Sequence, residues 1–141
     1  MLHLIKLSVG PKDVGQLRRI QALRAVADPP LRHQTRMAPK RREEILQGGS
    51  IYWVVAGFVQ VRQRILDIVE DRWDDDTPCC GLVLHPELVP VEARAVKAFQ
   101  GWRYLPPEEA PPDVVTGQET VRGLDQLPPK LRDALREARL I

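Results

Sequence analysis

From Leu2 to Leu7 the chain is almost wholly apolar, with Lys6 in the same alternation as Leu2 and Leu4, and the run stops at Gly10-Pro11. That pattern predicts a buried strand. Val14, Leu17, Ile20 and Leu23 then recur every third residue. Pro11 and Asp13 precede them, Arg18, Arg19 and Arg24 lie towards the other end, and Asp28-Pro29-Pro30 closes the predicted helix. Arg32 to Met37 reads as a short extended segment. Pro39 then opens a second helix that Gly48-Gly49 ends.

Ser50 to Ala56 is rich in aromatic and β-branched residues and predicts a strand, and Gly57 separates it from a second such run, FVQVRQRILDIVE. In that second run Phe58, Val61, Ile65 and Ile68 also fit a helical stripe, but the β-branched content and the polar turn that follows, DRWDDDTP, favour a strand in a hairpin with CCGLVLHP. A further strand is expected across Ala93 to Leu105. Pairing across the hairpin predicts that one of Cys79 and Cys80 faces the core and the other faces outward.

These elements describe an α+β domain over residues 1–105, with a small, curved, mostly antiparallel sheet and two helices in its N-terminal half. Residues 106–128 are proline-rich and aperiodic, the signature of a strap or linker. In residues 129–141 Pro129 can open a helix that sets Leu131, Ala134, Leu135 and Ala138 on one face. Such a terminal amphipathic helix is a docking element, either on its own domain or on a partner protein.

Charge changes the picture more than composition does. The formal net charge is only +2, yet residues 1–64 hold twelve Lys and Arg against four Asp and Glu, and the remainder nine against fifteen. A basic half attracts phosphate even when the whole molecule is nearly neutral. No run approaches the ~18 apolar residues of a membrane span, and no secretory leader is legible, so a cytoplasmic protein without a membrane partner is expected. The adjacent cysteines offer neither a disulfide framework nor a zinc half-site. His3, His33 and His85 lack ligand spacing, so no metal and no cofactor is implied.

Candidate chemistry therefore rests on the basic residues and the rings. Arg36, Lys40, Arg41 and Arg42 surround the start of the second predicted helix, where free backbone N–H groups can meet an anion, although a solvated face with Arg41 and Arg42 paired to Glu44 and its neighbours fits them too. Arg62 and Arg64 share one strand face. Trp53 adjoins the basic helix, and Trp102 and Arg103 lie in FQGWRYL, where rings and guanidinium planes can stack on bases or pack in the core. These nine residues are the candidate nucleic-acid-binding set.

The runs LHLIKLSVG, TRM, KRREEIL, GGSIYWVVAG, QVRQRIL, LVLHPELV and FQGWRYL with PPEEAPPD, in that order, resemble the bacterial proteins grouped as domain of unknown function family 1489. The resemblance covers residue 2 to about residue 114 and implies no activity. In its order of elements the chain is also similar to the small pseudobarrels of the PUA and ASCH group. That similarity implies a cleft between barrel and helix that binds RNA or a modified nucleotide, with Arg36, Lys40, Trp53 and Arg62 at the corresponding positions. It also implies an alternative, since some ASCH relatives are hydrolases that use a Lys, Thr and Glu trio, for which Thr35, Lys40 and Glu44 are the counterparts. The expectation is a non-enzymatic RNA- or nucleotide-binding domain.

Overall fold

In the computed structural model of the chain, residues 1–114 are described. Strand β1 (His3–Leu7) is an inner strand of the sheet, and helix α1 (Val14–Ala27) follows, capped by Asp13, whose carboxylate accepts from Gln16 N at 2.8 Å. An extended Asx cap of this kind satisfies an orphan amide of the first turn. Strand β2 (Arg32–Thr35), the short helix α2 (Arg42–Leu46), β3 (Ser50–Val55) and the long β4 (Phe58–Arg72) complete the first half. Thus FVQVRQRILDIVE is a strand and not a helix, as its β-branched residues require.

Strand β5 (Pro78–Leu84) pairs with the second half of β4, and β6 (Val89–Ala95) with the first half, so together they retrace β4 antiparallel. β7 (Trp102–Leu105) pairs with β1. The single strand expected over Ala93 to Leu105 is therefore two strands. The positive-φ Gly101 (φ 69°) breaks the path between them, and β6 begins earlier, at Val89. Among the described residues the strands form one curved sheet in the order β2-β5-β4-β3-β1-β7, with β6 on β4. Every pairing is antiparallel except β1 with β3.

Register shifts bend β4. Between Val59 and Val61 the extra residue is Gln60, whose amide donates to Val55 O at 2.6 Å, and between Ile65 and Asp67 it is Leu66. Bulges of this kind increase local twist and let one strand serve two directions of sheet. The inner face of the bent sheet carries Leu4, Ile51, Trp53, Val61, Ile65 and Leu82, closed by Val14 and Leu17 of α1 and Ile45 of α2. A second, smaller cluster on the other face gathers Ile5, Tyr52, Val54, Val59 and Val91 beneath Phe99 and Leu105. Cys80 is buried and Cys79 half-buried, in accord with the expected alternation.

The segment expected to be a strap begins as ordered backbone. Residues Pro107–Glu109 form one 3-10 turn, Glu92 N donates to Pro112 O at 2.9 Å, and Val114 N donates to Pro90 O at 3.0 Å. The rest of the strap and the expected helix at 129–141 lie outside the described residues. No helix among the described residues is long and apolar enough to cross a membrane.

Candidate functional site

Lys6 comes inward because strand alternation leaves it on the face of Leu2 and Leu4, and its Cα partners are Trp53 on one side and Trp102 on the other. Beside it, α1 rises from the sheet and leaves a cleft of about 320 Å³ between the helix, the Ser8–Pro11 loop and β2. Leu17, Leu31, Trp53 and Leu84 of the core make the floor, so the cleft is blind. Lys6, Arg24, Arg32 and His33 supply its ionisable lining, with no carboxylate among the lining residues.

The balance of these charges is uneven. Arg32 is tied to Asp71 and, at 3.1 Å, to Asp28, and the hydrogen bonds with Asp71 raise the guanidinium pKa further. Lys6 has no ion pair among the described residues. Its ammonium reaches Leu7 O at 3.5 Å, and burial pulls its pKa below the usual lysine value. Arg24 likewise has no carboxylate partner among the described residues. His33 lies edge-on to Trp53, with ring centroids 5.1 Å apart, and its Nε2 is buried without a hydrogen-bond partner. Burial, then the charges of Lys6 and Arg24, push His33 down to about 4.

A buried polar network holds the floor rigid. Gln63 Oε1 accepts from Trp53 Nε1 at 3.1 Å and from Gln21 Nε2 at 2.9 Å, while Gln63 Nε2 donates to Gln21 Oε1 and to His85 O, both at 2.8 Å. Trp53 is consequently a core residue, and its buried ring is not open for stacking.

The depressed His33 predicts a pH dependence of stability. Its folded value lies below the ordinary 6.5, so the unfolded chain binds the proton first. This contribution is whole above about pH 6.5 and drains as pH falls towards 4, with a loss of about 3 kcal/mol. His3, also lowered by burial, acts in the same direction. Urea unfolding of the wild type and of His33→Gln at about pH 7 and about pH 4.5 checks it. An equal loss in both proteins would assign the drop to other groups.

The remaining sequence candidates are dispersed. α2 is five residues long, with Glu43 and Glu44 in its first turn. Arg41 is paired to Glu44 through two hydrogen bonds, and Arg42 reaches Asp67 at 3.5 Å. The amides of Lys40 and Arg41, which an anion at this helix start would need, already donate to Tyr104 Oη at 3.0 and 3.2 Å. Arg36 and the Lys40 side chain are exposed. Thr35 is buried opposite Cys80, and among the described residues no hydrogen bond or ion pair joins Thr35, Lys40 and Glu44.

Arg62 and Arg64 do share a strand face, but they differ in environment. Arg64 is exposed, whereas Arg62 grips Asp113 through two bonds of 2.7 Å in a second hollow beneath Pro107 and Pro111. There its hydrogen bonds, and then its charge, hold the Asp113 carboxyl below the usual range, and His3 Nδ1 accepts from Ser50 N at 3.0 Å. Trp102 is half-buried, with Nε1 donating to Met37 O at 2.9 Å, and Arg103 lies 4.5 Å over the Phe99 ring.

A protein-family model described as "Protein of unknown function (DUF1489)" matches residues 4–141. The chain belongs to this family. The match runs past residue 114, where the resemblance in the sequence motifs ends, and takes in the expected terminal helix. No curated protein and no solved structure matches the chain. Within this DUF1489 chain the residues that sequence reasoning missed as a site are Lys6, Arg24 and His33. One signal was present: a lysine at an inward register of an otherwise apolar strand.

Proposed function

We propose that the protein is a non-enzymatic RNA- or nucleotide-binding domain, and that it receives phosphate in the cleft between α1 and the sheet. The observation that carries this reading is that two cations, Lys6 and Arg24, neither with a carboxylate partner among the described residues, line one cleft together with His33. Holding a half-buried ammonium without a carboxylate costs free energy unless an anion completes the site. Arg36, Lys40 and Arg64, all exposed, extend the positive field beyond the cleft.

The fold supports the same reading. β2 and β7 end the sheet path and do not pair with each other, yet the loop after β2 reaches β7 through Met37 O and the amides of Lys40 and Arg41. A curved sheet bridged in this way suits a pseudobarrel of the PUA and ASCH kind acting on RNA in the cytoplasm. Selectivity for a base would come from the half-buried Trp102 and not from Trp53.

Single-stranded RNA binding should fall with salt. With roughly three to four phosphates neutralised, the log–log slope is about −2 to −3. Titration of a labelled oligonucleotide at several salt concentrations reads it directly. Affinity that is flat across that range would remove phosphate contact as the basis of binding.

A further inference from the structure

We infer, building on the binding proposed above, that the α1–sheet cleft takes a terminal phosphate monoester, the phosphate of a mononucleotide or of an RNA chain end, and not the interior of a strand. The shape supplies the first reason. The cleft bottoms out on Leu17, Leu31, Trp53 and Leu84, all part of the buried core, so a polymer cannot run through it. At about 320 Å³ it is larger than a phosphate group alone and admits an attached sugar.

Charge supplies the second reason. A phosphate monoester carries about −1.5 to −2 at neutral pH, whereas each internal phosphodiester carries a single charge. Lys6 from β1 and Arg24 from α1 are two cations that no carboxylate among the described residues neutralises, facing a lining that holds no acidic group. Arg32, the third cation, is already satisfied by Asp28 and Asp71 and serves to fix β2 in place. His33 lines the same cleft with its Nε2 buried, so it adds no charge that opposes the two cations. The dianion thus meets two positive charges. A diester would leave one of the cations unmatched.

The test compares one short single-stranded RNA in three forms, with a 5′-phosphate, with a 3′-phosphate, and with hydroxyls at both ends, by fluorescence anisotropy on the full chain. A phosphorylated form should bind about tenfold tighter than the hydroxyl form. A nucleoside monophosphate should displace it where the nucleoside does not. In Lys6→Gln and in Arg24→Gln the ratio between forms should fall to about one. Arg24 is exposed, so its replacement leaves folding intact. Arg64→Gln, outside the cleft, should weaken every form without changing the ratio. Equal affinity of all three forms would overturn the terminal-phosphate inference and leave RNA binding standing. Failure of every form to bind would overturn both.

Discussion

Replacing Gln63 by Leu is expected to lower the stability of the domain by about 3 to 5 kcal/mol, although the two side chains are close in volume. The reason lies in what the amide serves. Gln63 is fully buried and simultaneously satisfies Trp53 Nε1, the amide of Gln21 and His85 O. Leucine would leave the buried Trp53 Nε1 and Gln21 amide without partners, each costing roughly 1 to 3 kcal/mol, and would free the part-buried His85 O as well. Urea denaturation measures the loss. The double variant Gln21→Leu with Gln63→Leu should recover part of it, because one of the orphaned amides is then gone. If the single variant were as stable as the wild type, water would have to reach this part of the core, and the rigid floor assigned to the cleft would fall with it.

Gly49→Ala is expected to be as damaging for a different reason, with a cost of about 3 kcal/mol or more. A Cβ at this position would fall against Leu2 O and Ile45 O, two backbone atoms that cannot rotate away. The glycine is pinned there by its own bonds, since its N–H donates to Ile45 O at 2.7 Å and its carbonyl accepts from Ile65 N at 3.0 Å. Relief would require α2 to move off β1 and β4. Gly57→Ala provides the contrast. Its surroundings are open, and only the positive φ of 83° resists an alanine, so a loss of about 1 to 2 kcal/mol is expected. Thermal melts of the two variants separate lack of space from backbone strain. Gly49→Ala melting level with Gly57→Ala would show that α2 yields readily.

Much of the secondary structure was legible because the local signals are strong. Asp13 before an apolar period, Gly48-Gly49 after a short helix, and β-branched runs on either side of Gly57 each act within a few residues. The split between β6 and β7 was not legible. Val89 to Ala95 carries Pro90, Glu92 and Arg94, and it is a strand because β4 offers a free edge to pair with. Propensity alone weighs against it there.

The site shows the same division. The basic first half, the inward register of Lys6 and the scarcity of catalytic motifs are properties of the chain as written, and they follow from charge and from the two-residue period of a strand. Which cations remain unpaired could be decided only by the tertiary structure. Asp113 comes to Arg62 from 51 positions away and Asp71 to Arg32 from 39, while Lys6, Arg24 and His33 meet around a cleft that reaches no acidic side chain among the described residues. Local pattern reports what each residue carries. Long-range packing decides which charges cancel, because an ion pair depends on distance in space and not on distance along the chain.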